Sequence, residues 1–180
     1  MKQKTKFQIQ GKFAKRVPKS KKEEQEFGPG KKDIIICPKC NAYYFYKSWH
    51  HKLEDYRHLS DKKRVKFILC PACQMIRDGK YEGQIILKNV PEDKKEEILN
   101  LIKNIGKRAY NRDPMDRIID IREIRGKLAK ISNIEILTTE NQLAVRIGKQ
   151  LKRTFKGRLE IKYSHEESTT RVIWEQGKDM

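Results

Sequence analysis

The sequence has no segment that would place the chain in a membrane or send it out of the cell. No run reaches the ~18 to 20 consecutive apolar residues that a membrane-spanning helix needs. The first residues lack the charged and apolar regions of a signal peptide, and no lipidation motif is found. We therefore expect a soluble, cytoplasmic protein that makes no use of a membrane.

The chain also lacks the short motifs of common catalytic and DNA-reading modules. Residues 28–32, Gly-Pro-Gly-Lys-Lys, are not a phosphate-binding loop, because the GxxxxGK[ST] spacing and a preceding apolar strand are both missing. No histidine and glutamate have the spacing of a zinc hydrolase or deaminase. No recognition helix or C₂H₂ spacing is visible either. We expect no catalysis and no small-molecule substrate, with a small DNA-binding regulator and an enzyme of unknown type as alternatives.

Acidic residues are scarce relative to basic ones. The 180 residues include 42 lysines and arginines but only 24 aspartates and glutamates, so the formal net charge is +18. Such a charge repels itself in a compact chain unless an anionic partner neutralises it, and nucleic acid is the first candidate. A general enrichment in lysine, as in thermophiles, is the alternative, but it normally raises glutamate in step.

Cysteine is rarer still, and all four cysteines fall in two pairs of the form CxxC. Cys37-Pro-Lys-Cys40 is followed, after 29 residues, by Cys70-Pro-Ala-Cys73. Two such pairs supply the four thiolates of one tetrahedral zinc ion and leave no open position for a catalytic water. Disulfides or ordinary buried thiols are the alternatives, but a reducing cytosol favours metal. The sequence therefore predicts a structural zinc site.

The residues around the cysteines predict a small zinc ribbon over 33–79. An apolar run precedes each pair, Ile34–Ile36 and Val65–Leu69, so a strand is expected to lead into each tight turn. Between the pairs, Trp49, Leu53 and Tyr56 recur at helical spacing and predict a helix. Three histidines fall in this helix and are surplus to a four-cysteine site: His50, His51 and His58.

An aromatic segment, residues 41–46, lies within the same module. Aromatic rings can stack on unpaired bases with little sequence preference, which makes Tyr44 and Tyr46 candidate RNA contacts. The alternative is that a module with a very small core uses these rings to bury area. Both interpretations stay open at this point.

The first 32 residues form a predicted basic arm. They hold eleven lysines and arginines against three glutamates, a net charge of +8, and they show no apolar repeat long enough to offset the entropy of ordering. We expect this arm to be disordered alone and to bind nucleic acid by releasing counterions, although a tail that only confers solubility is the alternative. The candidate contacts in the arm are Lys12, Lys15, Arg16 and Lys19.

Residues 80–176 have the pattern of an α+β domain in the order βαββαββ. The economical fold for this order is a ferredoxin-like βαββαβ core with an extra terminal strand. The predicted elements are a strand over 81–90, a helix over 92–110, strands over 117–125 and 133–138, a helix from 139 to 156, and strands over 158–163 and 169–175. Residues 139–142, Thr-Glu-Asn-Gln, resemble a capping box that would begin the second helix.

The second predicted helix has one entirely basic side. Its basic residues follow one another at spacings of 3, 4 and 3, which places them on one face, opposite the apolar stripe. A solvated helix face is the usual explanation of such charge, but solvated faces normally mix both signs. We therefore treat four residues as candidate phosphate contacts: Arg146, Lys149, Arg153 and Lys156.

Beyond these features, several short motifs follow one another in a fixed order along the chain. They are Cys37-Pro-x-Cys40, Cys70-Pro-Ala-Cys73, Ile76-Arg77-Asp78, Thr138-Thr139, Leu143-Ala144-x-x-Ile147-Gly148, Gly157-x-Leu159 and Arg171-Val172-x-Trp174. Together these motifs resemble a group of small bacterial zinc-ribbon proteins of unassigned function. That group is similar in turn to the amino-terminal part of the archaeal and eukaryotic adaptor that escorts the large ribosomal subunit and is named for nonsense-mediated decay.

The resemblance extends from Ile34 to Glu175 and leaves out the basic arm. It implies binding to the ribosome or to ribosomal RNA through the zinc end, as in an assembly, stress or hibernation factor. The resemblance implies that the four cysteines are metal ligands. Arg77 and Trp174 also match the group, but the resemblance implies no function for them. Export does not carry over, since the adaptor has more cysteines, further β-barrel domains and transport signals.

Overall fold

A computed structural model describes most of the chain beyond the predicted basic arm. The described residues are 34–45, 47–52, 65–124, 131–164 and 168–177. The described residues belong to one compact unit. The predicted contacts of the arm and Tyr46 lie outside the described residues, so these parts of the interpretation stay predictions.

The cysteine-bearing part, called here the cysteine module, is built on a four-stranded sheet with very short strands. Its strands lie in the order β3-β2-β1-β4, antiparallel except for the parallel pair β1 and β4. The elements are β1 (Ile34–Ile36), β2 (Tyr43–Phe45), β3 (Ser48–His50), β4 (Val65–Phe67) and the helix α1 (Pro71–Arg77). A strand therefore leads into each cysteine pair, as predicted.

The helix predicted from Trp49 onward is wrong where it can be checked. Trp49 lies in strand β3 and pairs with Tyr44 of β2, and His50 pairs with Tyr43. Lys47 takes a left-handed conformation, with φ of 63°, and turns the chain between the two strands. The run of aromatic residues prefers a pleated surface, and this preference overrides a helical spacing that rests on three residues. The rest of the predicted helix, with His58, lies outside the described residues.

The second part has the predicted order βαββαββ. Its elements are β5 (Gly83–Pro91), α2 (Glu92–Arg112), β6 (Ile118–Ile124), β7 (Ile131–Thr138), α3 (Asn141–Phe155), β8 (Arg158–Tyr163) and β9 (Thr170–Glu175). The strands form one sheet in the order β6-β7-β5-β9-β8. Strand β7 lies between β5 and β6 and is antiparallel to both, so β5-α2-β6 is a split βαβ unit.

The position of β9 departs from the ferredoxin-like prediction. In that fold the strand after the second helix pairs with the first strand, whereas here β9 takes that place, parallel to β5, and β8 lies at the sheet edge. The side chains explain the exchange. Val172 and Trp174 of β9 are fully buried, whereas β8 alternates apolar residues with the charged Arg158, Glu160 and Lys162, which suits an edge strand.

Both helices pack on one face of this sheet and enclose the main core. Ile98, Ile102 and Ile105 of α2 are buried against the sheet, and Leu143 and Ile147 on the predicted apolar stripe of α3 are buried there too. Area burial of this kind is the main stabilising contribution in such a domain.

The predicted capping box does not form. Helix α3 begins after Glu140, whose side chain makes no capping hydrogen bond. The Thr139 hydroxyl instead donates to the carbonyl of Met115 and accepts a 2.8 Å hydrogen bond from the amide of Arg117. A side-chain partner elsewhere in the fold therefore outcompetes local capping, and Thr139 fixes the segment that leads into β6.

Candidate metal centre

The structure brings the four predicted cysteine ligands together. The Sγ atoms of Cys37, Cys40, Cys70 and Cys73 all lie within 4.8 Å of one another, and the sulfurs of Cys40 and Cys70 are 3.6 Å apart. All four are free cysteines, and three of them are buried. Four thiolates placed ~2.3 Å from a tetrahedral metal have sulfurs ~3.8 Å apart, so the cluster fits a metal ion.

The first pair sits in a turn that follows β1. The amide of Asn41 donates to the carbonyl of Cys37 at 2.9 Å, and the amide of Cys37 donates to that of Ala42 at 2.8 Å. Asn41 is left-handed, with φ of 57°, a conformation that asparagine tolerates better than most residues. The turn therefore folds back on itself and directs Cys37 and Cys40 toward the second pair.

The second pair belongs to the start of helix α1 rather than to an isolated turn. Cys70 is the N-cap residue, and its Sγ accepts a 3.4 Å hydrogen bond from the amide of Cys73. Pro71 occupies the first helical position, where a missing amide costs nothing and the fixed φ favours the helix. The helix spacing thus places both sulfurs on the same side.

Arg117 is a fifth member of this site that the sequence did not reveal. Its guanidinium donates to Cys40 Sγ at 3.1 Å and to Cys73 Sγ at 3.3 Å, and it lies 3.8 Å from Cys70 Sγ. Its Nε donates to the carbonyl of Pro114 at 2.6 Å, which fixes the orientation of the group. No local pattern marks this residue, since 44 and 77 positions separate it from the two cysteines.

The electrostatics of the cluster depend on burial and on these donors. Burial raises the pKa of the Cys70 and Cys73 thiols. Burial also acts on Cys37, but backbone amides of the two turns lower its pKa to about 6. Burial opposes the charge of Arg117, yet hydrogen bonding to Cys40 and the nearby thiolates raise its pKa above the ordinary value. A bound metal would hold all four sulfurs deprotonated, with Arg117 as their countercharge.

A second contact beside Arg117 joins the cysteine module to helix α2. The His51 ring hydrogen-bonds through Nε2 to the carbonyl of Tyr110 and meets the Tyr110 ring edge-on at 4.6 Å. The Arg117 guanidinium lies 5.2 Å from the centre of the same ring. His50, in contrast, stacks on Phe45 within its own sheet. Neither histidine belongs to the sulfur cluster, and His51 serves as a packing contact.

Three described rings of strands β2 and β3 are engaged in packing: Tyr44, Phe45 and Trp49. The Tyr44 ring lies 5.3 Å from that of Trp49, tilted by 53°. Phe45 is buried, and Tyr44 and Trp49 are half-buried. A side chain in this position covers a small core, and the role of Tyr44 as a stacking surface stays a prediction.

The four predicted phosphate contacts are exposed, but they are not equivalent, and Lys156 does not lie on the helix as predicted, because α3 ends at Phe155 and Lys156 follows it with a left-handed φ of 63°. Arg146 lies 3.7 Å from the buried carboxylate of Asp116, which also accepts from Arg112 of α2 at 3.3 Å. Within the described part of the chain, Lys149, Arg153 and Lys156 have no carboxylate partner. Asp116 therefore neutralises the end of this basic row that lies nearest α2 and leaves Lys149, Arg153 and Lys156 charged.

The two helices together carry a larger basic surface than the four predicted phosphate contacts alone. Residues 98–112 and 141–156 contain no acidic residue, and Arg112 and Arg146 meet at one carboxylate. We call seven exposed members of this group the basic surface: Arg108, Arg112, Arg146, Lys149, Lys152, Arg153 and Lys156. The other exposed lysines of the group, Lys103 and Lys107, line a groove with strand β6 and are treated separately. The acidic start of α2 hid this continuation, although the absence of acid from residue 98 onward is visible in the sequence.

Comparison with models of protein families and with curated proteins finds no match to this chain. Among the described residues, no helix is both long enough and apolar enough to cross a membrane.

Proposed function

We propose that the chain is a zinc-stabilised RNA-binding protein that attaches to the ribosome or to ribosomal RNA and catalyses no reaction. Zinc is the metal that four thiolates in a closed tetrahedral arrangement suit best. Such a site would carry a net charge of −2, and Arg117 offsets part of it. A closed and capped site of this kind supports a structural role, because no position is left for a substrate or an activated water.

The basic surface carries the proposal of RNA as partner. It combines cations from two packed helices; Asp116 pairs with Arg112 and Arg146 where the helices meet, and the positive potential extends along α3 through Lys149, Lys152 and Arg153. The opposite, open face of the sheet is different, because Arg122 pairs with Glu135 there and Lys162 pairs with Glu160 at 3.1 Å. Mixed signs of this kind give no net attraction for phosphate, so the helical side is the proposed docking face.

The resemblance to the bacterial zinc-ribbon group and to the subunit adaptor supports the ribosome as the particular target. It extends over both the cysteine module and the α+β domain, and an assembly, stress or hibernation factor is the class it implies. The +18 charge is consistent with any polyanion, so the choice of the ribosome rests on the resemblance alone.

Co-sedimentation with separated ribosomal subunits at low and high salt tests the proposal. We expect the protein to pellet with one subunit at low salt and to be released as salt rises, because binding through phosphates releases counterions. A gel-shift comparison of ribosomal RNA with duplex DNA of equal length accompanies it. Preference for the DNA, or no binding to either subunit, would contradict the proposal.

A further inference from the structure

A groove lies between helix α2 and the edge strand β6, next to the sulfur cluster. Its volume is about 460 Å³. Its helix side is formed by Lys103, Gly106, Lys107 and Tyr110, and its strand side includes Ile121. The spacing of three, four and seven residues along α2 places its four members on one face of the helix. The groove is outside the basic surface defined above, and Arg117, which donates to the cysteine sulfurs, lines it at the end next to the proposed metal site.

Close packing at one point shapes the floor of the groove. A Cβ atom at Gly106 would lie 2.5 Å from Cδ1 of Ile118, so any larger residue there would have to displace the Ile118 side chain. The Arg117 guanidinium and its thiolate contacts bound the groove at one end. The ion pair between Lys95 and Glu123, at 3.0 Å, links the same helix and strand farther along. The floor between them is aliphatic and fixed at both ends.

The chemistry of the groove suits a flat apolar group that carries a negative charge. Ile118 and Ile121 provide the floor, while the exposed Lys103 and Lys107 provide cations at the rim. Within the described part of the chain, neither lysine has an ion-pair partner, and no acidic residue lines the groove. Seven residues of helix span ~10 Å, which is the dimension of a single nucleotide rather than of a folded partner.

An added peptide strand is the competing occupant, and the edge of the sheet argues against it. The register of β6 against β7 shifts between Ile118 and Asp120, and such a bulge disturbs the regular edge that strand addition needs. Charged side chains of Asp120 and Arg122 follow along the same strand. Lys107 at the rim is also followed directly by Arg108 of the basic surface. The row of positive side chains is therefore longer than an added strand of three residues.

We propose that this groove receives one unpaired nucleotide of the bound RNA. The base lies on Ile118 and Ile121 beside Tyr110, and the flanking phosphates lie against Lys103 and Lys107. This inference rests on the proposed RNA-binding function and deepens it: the basic surface holds paired RNA by charge, whereas the groove selects an RNA that offers an unpaired base.

The test uses the full-length, zinc-loaded protein and two RNA hairpins that differ in one feature. One hairpin carries a single unpaired uridine in its stem, and the other has the same stem fully paired. We expect the natural protein to bind the bulged hairpin about tenfold more tightly, since contact of one base with apolar and aromatic side chains is worth roughly this factor. The variant Ile121→Glu should bind both hairpins with the affinity that the natural protein has for the paired one.

Two further variants keep the test decisive. Lys107→Ala leaves the floor intact and serves if Ile121→Glu fails to fold, and it should lower the preference for the bulged hairpin. Reversal of the charges of Lys149 and Arg153 should weaken binding to both hairpins alike and preserve the preference for the bulged one. Equal binding of both hairpins by the natural protein would overturn the groove proposal and leave RNA binding intact, whereas no binding to either would overturn the proposed function itself.

Hydrogen exchange distinguishes an RNA base in the groove from an added peptide strand along β6. We expect the bulged hairpin, and not the paired one, to protect amides along β6. Protection of β6 by a peptide of alternating glutamate and valine, with none from the bulged hairpin, would assign the groove to a protein partner and overturn the proposal.

Discussion

The cysteine module and the α+β domain solve the problem of stability in different ways. Among the described residues, the apolar cluster of the domain contains fifteen buried residues, among them Trp174 and Ile136. The corresponding cluster of the cysteine module contains five, of which three are cysteines and two are alanines. Phe67 on strand β4 remains 68% exposed, so even the available apolar side chains are not covered. A core of this size cannot offset the entropy of ordering the chain, and a metal ion can.

The contact between the two regions shows how the difference is used. The sulfur cluster contacts the domain through Arg117, which directly precedes β6 and lies 5.2 Å from the ring centre of Tyr110 on α2. The region that we propose to be held by a metal is therefore attached to the region that is held by its apolar core. Loss of the metal should loosen one end of the molecule and leave the other folded.

The largest expected effect follows from removing one metal ligand. The variant Cys70→Ser should lose the metal and unfold the cysteine module, because structural zinc contributes on the order of 10 kcal/mol of folding free energy in small modules. Elemental analysis should show one zinc per natural chain and none per variant. Hydrogen exchange should show loss of protection over residues 34–52 and 65–79, with β5 and β7 still protected.

The matched control for this prediction is Gln74→Ala, an exposed change on the same helix α1. It should retain the metal and the protection pattern. If Cys70→Ser keeps its zinc, or if both regions unfold together, the comparison between a metal-held and a core-held region is wrong.

A smaller effect, confined to the other region, is expected from a cavity in the main core. Ile147 of α3 is fully buried, so Ile147→Ala should lower the free energy of unfolding of the domain by about 2–5 kcal/mol. Denaturant unfolding followed by far-ultraviolet circular dichroism, in which α2 and α3 give most of the helical signal, measures this change. Gln150→Ala on the same helix is the control, and the zinc content of both variants should equal that of the natural protein.

The next effect in size concerns the contact between the regions. Arg117→Gln removes the guanidinium that donates to two cysteine sulfurs. Loss of a group that hydrogen-bonds to a metal ligand typically lowers metal affinity about 10–100-fold. We expect faster zinc release to a chelator, and a shift of the sulfur-to-metal charge-transfer band after substitution with cobalt. Arg117→Lys should restore part of the loss. Arg108→Gln, an exposed change on α2, should alter neither measurement, and an unchanged release rate in Arg117→Gln would show that the contact is incidental.

Much of this arrangement was predictable from the sequence because its signals are local. The two CxxC pairs specify their own ligand set, and the stripe of Ile98, Ile102 and Ile105 defines a buried helix face wherever the helix lies. The charged residues that alternate along β8 also mark an edge strand. Weighing them against the continuous apolar run of β9 could have predicted that β9, not β8, lies beside β5.

The failures arise where distant contacts decide the outcome. Arg117 reaches Cys40 across 77 positions, and no pattern in the sequence relates the two. Thr139 is the first residue of a capping-box pattern, but its hydroxyl group bonds to the segment before β6, because a fixed partner there satisfies it. Trp49 has helical spacing to later residues, yet its pairing with Tyr44 places it in a strand. In each case a tertiary contact replaces the local preference.

The smallest expected effect on either region concerns the surface that is proposed to matter most for function. Lys149→Glu with Arg153→Glu changes two exposed residues that have no carboxylate partner in the described part of the chain, so unfolding of the domain and zinc content should both stay close to natural values. RNA affinity should fall sharply, because two attractions become two repulsions, and the slope of log K against log salt should flatten by about 0.9 for each phosphate that the variant no longer neutralises. The matched control reverses Arg158 and Lys162, which are equally exposed but lie on β8 among mixed charges. Equal affinity in the two double variants, or a weaker affinity in the control, would show that the helical side is not the docking face.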